Sequence, residues 1–209
     1  MHIEPGYIAS AKILAANAVA LGVVGSQAKR IVQQPQLILK SLIAGVFFTL
    51  FMQSFHMPVG PSELHFLGAM AIYLSLGFTP TLLGFGLGLL LQGLVFEPAD
   101  LLHLGVNFLS LALPLMLVHK LQGDAAGKLP SVAAILKRDA VFYSGVTAMV
   151  GFWLSIGEVA TPFSAWAAFT ASYIPVVMAE PLLTLAVLHL VHKGRDLAAV
   201  RYCFTARAV

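Results

Sequence analysis

The chain has 209 residues, of which 59% are hydrophobic and only 10% are charged, and its formal net charge at pH 7 is +3. Soluble domains carry about 25% charged residues. Together with a mean hydropathy of +0.89, this composition excludes a soluble domain and indicates a protein that crosses a membrane several times. The single cysteine, Cys203, excludes an internal disulfide and a cysteine-rich metal site.

Apolar segments of membrane-spanning length follow one another along the whole chain. A helical span needs about 20 apolar residues, within a range of roughly 17 to 25. The sequence predicts an all-α integral membrane protein, with one polytopic membrane domain over residues 1–209 and no soluble domain or internal repeat. The predicted spans, about seven in number, cover residues 8–28, 38–56, 64–79, 81–96, 101–118, 139–157 and 166–191. The third and fourth are short and meet at Thr79-Pro80.

Small residues predict where the helices approach one another. Small side chains allow helix backbones to come close inside a membrane. The fourth span contains Gly84, Gly86 and Gly88, and the first contains the series Ala18, Gly22 and Ser26. We expect close helix–helix contacts at both.

Basic residues predict the orientation, because Lys and Arg are enriched in cytoplasmic loops. With seven spans, three groups of basic residues fall on one side of the membrane: Lys29, Arg30 and Lys40, then Lys120, Lys128, Lys137 and Arg138, and finally Lys193, Arg195, Arg201 and Arg207. The other side receives mainly acidic residues. We therefore expect an external N-terminus, a cytoplasmic C-terminus and a basic cytoplasmic tail over residues 193–209.

The start of the chain has an alternative interpretation as a signal peptide. An apolar core would precede Ser26-Gln27-Ala28, which has the small-x-small form of a cleavage site. We reject this interpretation because Glu4 offsets the charge of Lys12, and because Lys29-Arg30 would resist export just after the cleavage site. We expect Met1 to be retained.

The first two residues offer nitrogen ligands for a divalent metal. In Met1-His2, the α-amine, the next amide nitrogen and the imidazole can bind one ion in a single plane. Imidazole and amine nitrogens suit nickel, cobalt, copper and zinc, and a square of nitrogens favours Ni²⁺ or Cu²⁺. We predict an N-terminal metal-binding segment over residues 1–7, which requires a free α-amine.

Further histidines and carboxylates gather at the predicted outer ends of the spans: His2, Glu4, His56, Glu63, His65, Glu97, Asp100 and His103. His65 follows Gly60-Pro61-Ser62, a rigid turn that aims it inward, whereas His56 has the simpler interpretation of ending a span. Asp100, His103 and Asn107 are spaced three and four apart and share one helix face. Asn107 is interpreted either as a residue that orients a metal-binding imidazole or as an interhelical hydrogen-bonding residue.

Glu180 is an ionisable residue in the middle of the last span, between Pro175 and Pro181. Such residues are rare inside membranes and are functional hypotheses by default. The alternative is a protonated carboxyl group that bonds a neighbouring helix.

Several segments together resemble one family, the substrate-capture component of cobalt/nickel energy-coupling-factor transporters of the CbiM/NikM type. The opening resembles the family's M-H-I-x-x-G motif, and later segments resemble its turn-plus-histidine, Q-x-x-x-F, G-x-N and P-x-x-x-x-E elements. These segments are Met1-His2-Ile3-Glu4-Pro5-Gly6, Pro61 to Gly68, Gln92 to Phe96, Leu104 to Phe108, and Ile174-Pro175 to Glu180.

The resemblance implies a ligand set and a substrate. Met1 would supply its amine, His2 its amide nitrogen and imidazole, and His65 the fourth nitrogen for a bound Co²⁺ or Ni²⁺ substrate, without any cofactor. Supporting residues would be Asn107, Glu63, His103 and Glu180. Two positions depart from the family pattern: Ser110 replaces a second asparagine, and Pro181 replaces a glycine.

The resemblance also implies partners and a place in the cell. They are two ATPases, a scaffold membrane subunit and often a small accessory membrane protein, in a prokaryotic inner or plasma membrane, with no role for nucleic acid. The chain lacks a G-x-x-x-x-G-K-[ST] loop, so ATP hydrolysis falls to the partners. The sequence does not choose between cobalt and nickel, because the same nitrogens bind both.

The leading prediction is therefore a membrane substrate-binding subunit for metal uptake. The alternative is an intramembrane metal-dependent enzyme that uses the outer-face histidines and carboxylates. An enzyme needs an open coordination position, whereas a closed plane of four nitrogens favours capture. A third interpretation is a structural or sensory bundle without a ligand.

Overall fold

The computed structural model describes residue 3, residues 6–123 and residues 130–204. Within them, the helices are α1 (Ser10–Gly25), α2 (Ala28–Gln33), α3 (Gln36–Ser54), α4 (Ala69–Leu76), α5 (Phe78–Val95), α6 (Leu104–Gln122), α7 (Val132–Ser155), α8 (Phe163–Lys193) and α9 (Ala198–Cys203). A 3₁₀ helix over Pro98–His103 precedes α6. Strands β1 (His56–Val59) and β2 (Ser62–His65) form an antiparallel hairpin between α3 and α4.

Five helical segments of the described chain are long and apolar enough to cross a membrane. They are Ser10–Gln33, Gln36–Ser54, Phe78–Val95, Pro98–Gln122 and Phe163–Lys193. These segments match the first, second, fourth, fifth and seventh predicted spans, and large apolar side chains such as Leu14, Leu94 and Leu182 are exposed on them. The chain is a mostly helical, multi-pass membrane protein, while seven crossings and the orientation of the termini stay predictions.

The third predicted span, residues 64–79, is wrong as a continuous helix. Its first residues belong to β2, and α4 has only 8 residues, so it is about 12 Å long at 1.5 Å per residue. Two glycines with positive φ delimit α4: Gly68 at 59° precedes it and Gly77 at 91° follows it. The expectation that every element is helical fails here because these backbone breaks were not recognised within an apolar run.

The sixth predicted span begins earlier than expected, at Val132 instead of residue 139. The side chain of Ser131 accepts a hydrogen bond from the amide nitrogen of Ala134 at 3.2 Å, which satisfies a donor at the start of the helix. As a result α7 includes Lys137, Arg138 and Asp139 within its first turns.

Close packing of α3 against α5 and a row of aromatic rings organise the interior. The ring centroids of Phe48 and Phe85 lie 4.9 Å apart, and those of Phe85 and Phe142 lie 6.1 Å apart. Tyr143 and Tyr173 continue the row, with centroids 4.9 Å apart. The row passes from α3 through α5 and α7 to α8, so the four helices share one core.

Candidate metal-binding site

The hairpin brings His56, Glu63 and His65 to one face. A two-residue loop, Gly60-Pro61, joins the strands, and the φ of 60° at Gly60 is the positive value that a type II′ loop requires at its first central position. His56 pairs directly with His65 in the antiparallel register. Because side chains alternate between the two faces of a strand, Glu63 lies on the same face as His65.

Glu63 bridges the two histidines. Its Oε2 lies 3.0 Å from Nε2 of His65, and its Oε1 lies 2.8 Å from Nδ1 of His56. The two imidazole rings stack with centroids 5.8 Å apart. The arrangement places one carboxylate between two imidazoles, so that Glu63 can orient each ring through one ring nitrogen.

His65 is held inside the protein, with 2% of its surface exposed. Its Nδ1 lies 3.4 Å from the carbonyl oxygen of Met52 in α3. A donor bond from one ring nitrogen fixes the tautomer and leaves the lone pair on the other nitrogen. With Nδ1 toward Met52, Nε2 is the ring nitrogen that faces Glu63.

Ile3, near the start of the chain, lies beside this hairpin. Ile3 forms an isolated antiparallel bridge with Ser62, the first residue of β2, and is itself buried. Further along, the carbonyl oxygen of Tyr7 accepts a hydrogen bond from the amide nitrogen of Glu158 at 2.8 Å, and Lys12 pairs with the Glu158 carboxylate at 2.6 Å. The predicted ligands Met1 and His2 lie outside the described residues.

His103 and Asn107 are both buried at the start of the fifth predicted span. His103 ends the 3₁₀ helix and Asn107 lies in the first turn of α6. Among the described residues, none donates a hydrogen bond to Oδ1 of Asn107. Asp100, expected to share a face with them, accepts a hydrogen bond at 3.2 Å from Gln92 of the Q-x-x-x-F segment.

Glu180 supports the element that follows His65. Its Oε1 accepts a hydrogen bond from the amide nitrogen of Met70 at 3.2 Å, in the first turn of α4, and its Oε2 accepts one from the Tyr143 hydroxyl. A carboxylate is favourable at a helix N-terminus because the amides there lack partners within the helix. Glu180 thus holds the start of α4, which begins four residues after His65.

Sequence reasoning did not assign His56 to this site. His56 and His65 lie at equal distances from the Gly60-Pro61 turn, which was the signal that a hairpin would place them opposite each other. Within residue 3 and residues 6–123 and 130–204, three or more His, Cys, Asp or Glu side chains do not converge on one metal position.

Residues 2–197 match the model of a family described as the cobalt uptake substrate-specific transmembrane region, CbiM. The chain belongs to the CbiM family. Membership favours the transport prediction over the intramembrane enzyme, and it identifies the chain as a non-catalytic subunit of metal uptake in the plasma membrane.

Two solved structures share the fold of this CbiM protein. One, described as a transition metal transporter, is 21% identical and superposes with a TM-score of 0.70 over 96% of each chain. The other, described as a truncated transition metal transporter, is 21% identical with a TM-score of 0.69, covering 93% of this chain and 99% of its own. No curated protein sequence matches the chain significantly.

Proposed function

We propose that this CbiM protein captures Co²⁺ or Ni²⁺ on the outer face of the membrane and delivers it to an ATP-driven uptake complex. The metal would be bound by the amine of Met1, the amide nitrogen and imidazole of His2, and Nε2 of His65. The observation that carries this proposal is the bridge between Ile3 and Ser62, since Ser62 lies in the same short strand as His65.

The direction of the chain supports the ligand set. In an antiparallel bridge the two segments run in opposite directions. At Ile3 the direction toward the N-terminus is therefore the direction from Ser62 toward His65 along β2. Two residues extend at most about 7 Å, and β2 has only 4 residues. An α-amine two residues before Ile3 therefore has the reach to share an ion with His65.

The surroundings of His65 suit a nitrogen-bound transition metal. The Met52 carbonyl orients the ring, and Glu63 is placed to stabilise positive charge beside Nε2. Partners that orient metal ligands raise their basicity and their affinity for the ion. Asn107 and His103, both buried near the outer end of α6, complete the proposed surroundings.

The proposed orientation places the N-terminus outside and the basic tail in the cytoplasm, with seven crossings. The hairpin and α4 would together provide the third crossing, and α7 the sixth. Basic residues in two connections and in the C-terminal tail support this orientation. ATP hydrolysis would come from two ATPase partners through a scaffold membrane subunit, because the sequence has no phosphate-binding loop of its own.

Metal titration of the purified full chain tests the proposal. Wild-type protein should bind one Co²⁺ or Ni²⁺ tightly. His65→Ala should weaken binding by more than about 100-fold, because loss of an outer-shell partner alone costs about 10- to 100-fold. A peptide extension before Met1 should have a similar effect, because it converts the amine into an amide.

The matched control is His189→Ala, which removes an exposed histidine near the C-terminal end of α8. This variant should leave the metal affinity unchanged. Absence of tight binding by the wild type would overturn the proposed function. Unchanged affinity in both His65→Ala and the extended protein would exclude this ligand set.

A further inference from the structure

A second group of oxygen atoms lies at the interface of α7 and α8, away from the hairpin. Trp166, early in α8, hydrogen-bonds the carbonyl oxygen of Thr147 late in α7, whereas Glu180, later in α8, contacts the earlier Tyr143. The two helices therefore run antiparallel. Asp139 precedes Tyr143 by one turn on α7, and Thr184 follows Glu180 by one turn on α8. Continuing the register of the Tyr143–Glu180 bond by one turn on each helix brings Asp139 and Thr184 to one level of this interface.

Asp139 and Thr184 are both fully buried. Within the described chain, no residue donates a hydrogen bond to either carboxylate oxygen of Asp139, and the Oγ1 of Thr184 has no hydrogen-bond partner. Asp139 is close enough to Glu180 for the two carboxyl groups to interact electrostatically. Buried polar groups normally have partners, and a buried group without one costs roughly 1–3 kcal/mol or more.

Structural support accounts for Glu180 but not for Asp139. Glu180 accepts hydrogen bonds from Met70 and Tyr143, whereas Asp139 stabilises no described element through its oxygens. Carboxylates inside membrane helices face the bundle interior and mark ion pathways. Carboxylate and hydroxyl oxygens bind divalent cations, although more weakly than a closed set of nitrogens binds a transition metal.

We propose that Asp139 and Thr184, with the Glu180 carboxylate above them, form a second, weaker site for the divalent metal on its way from the outer site to the cytoplasm. This inference rests on the proposed function, because it takes the cargo and the direction of transport from it. In the proposed orientation, Asp139 and Thr184 lie one helical turn closer to the cytoplasm than Glu180. The ion would exchange nitrogen ligands for oxygen ligands, and weaker binding there would favour release.

Cobalt binding by the purified full chain in the His65→Ala background tests this site directly. Equilibrium dialysis with radioactive Co²⁺ up to about 1 mM, the range of weak oxygen sites, should detect a weak component. That component should disappear in His65→Ala/Asp139→Asn and weaken severalfold in His65→Ala/Thr184→Val. His65→Ala/Asp196→Asn, which removes an exposed carboxylate, should retain it.

The single variant separates this inference from the proposed function. Asp139→Asn alone should keep the tight site at wild-type affinity, yet lower cobalt uptake by the assembled transporter about tenfold, equivalent to about 1.4 kcal/mol. Asp139→Glu should restore part of the uptake. The thermal stability of Asp139→Asn in detergent should equal or exceed that of the wild type, because this variant removes a costly buried carboxylate.

Two results would overturn the second site. One is identical weak binding in His65→Ala and His65→Ala/Asp139→Asn, which is the result expected if Asp139 merely holds a proton. The other is a marked loss of stability in Asp139→Asn, which would assign the residue a structural role. Either result can occur while tight binding at the outer site is intact, so it would leave the proposed function standing.

Discussion

Glu180 is an ionisable side chain deep in the membrane, and its hydrogen bonds give it a mechanical role. The sequence left two interpretations open, a functional carboxylate and a carboxyl group bonded to a neighbouring helix. The bonds to the Met70 amide and the Tyr143 hydroxyl agree with a group bonded to neighbouring helices. Glu180 accepts both bonds, whereas the second interpretation was a protonated carboxyl group. The bond to Met70 also joins α8 to α4, the short helix that follows His65. Loss of Glu180 would therefore disturb the position of His65 in the proposed metal site.

Glu180→Ala should lower both stability and metal affinity. It leaves the Met70 amide and the Tyr143 hydroxyl without their acceptor, at a cost of about 1–3 kcal/mol for a buried unsatisfied group. Glu180→Gln keeps one acceptor oxygen and should lose less. Unfolding of the purified variants in mixed detergent, followed by helical circular dichroism, measures the difference.

A matched comparison for Glu180 is Glu97, an exposed carboxylate in the connection after α5. Glu97→Ala should unfold as the wild type does. If Glu180→Ala were as stable as Glu97→Ala, the hydrogen bonds to α4 would have no energetic importance.

Packing between α3 and α5 depends on two glycines that share one helix face. A Cβ at Gly84 would lie 2.4 Å from the Cβ of Ala44, and a Cβ at Gly88 would lie 2.5 Å from Cδ1 of Phe48. At Gly86 the nearest atoms are ring carbons of Phe108 at 3.5 Å, an ordinary contact. The predicted close contact is thus confirmed for Gly84 and Gly88, which face α3, while Gly86 faces α6. The close contact predicted at Ala18, Gly22 and Ser26 is wrong, because all three residues are exposed and a Cβ at Gly22 would meet no described atom within 4 Å.

Gly84→Ala should therefore destabilise the protein, and Gly86→Ala should not. The first change forces the backbones of α3 and α5 apart, and overpacking costs about 1–3 kcal/mol. The second adds a methyl group where space exists and improves helix propensity by up to about 1 kcal/mol. Melting temperatures of the two variants in the same detergent check this, and equal values would contradict the close-contact interpretation.

The hairpin of β1 and β2 is the element that the sequence did not predict. The Gly60-Pro61 turn was recognised, and His65 was correctly placed after it. The strands were missed because residues 64–79 are apolar enough to resemble a span, and an apolar run alone does not distinguish strand from helix. The contact between Glu63 and both histidines follows from strand register, so it was out of reach without the hairpin.

At the scale of the whole molecule, composition was sufficient to predict a polytopic helical membrane protein, because apolar length is nearly the only requirement for a span. The boundaries of α7 were harder, since Lys137, Arg138 and Asp139 break the apolar pattern. The sequence did not predict that Asp139 of α7 and Thr184 of α8 would lie at one level, because this depends on the antiparallel register of the two helices. Register is a tertiary property that hydropathy does not encode.

The orientation of the whole molecule can be tested with cysteines introduced in a Cys203→Ser background. Glu97→Cys should react with a membrane-impermeant maleimide in intact spheroplasts, because the connection after α5 is predicted to lie outside. Gln33→Cys should react only after permeabilisation. Because both positions are exposed, a difference in their maleimide reactivity reports the side of the membrane on which each lies. The reverse pattern of reactivity would contradict the proposed orientation.

The position of Ile3 beside Ser62 affects the effective concentration of the N-terminal ligands near His65. If residues 1 and 2 supply nitrogens as proposed, a segment of at most about 7 Å tethers the amine to the buried Ile3, so assembly of the ligand set with His65 is intramolecular. Short tethers of this kind give effective concentrations of about millimolar or higher. A free Met-His peptide would have to reach that concentration to replace the natural terminus, so the chain gains metal affinity from attachment as well as from the ligands themselves.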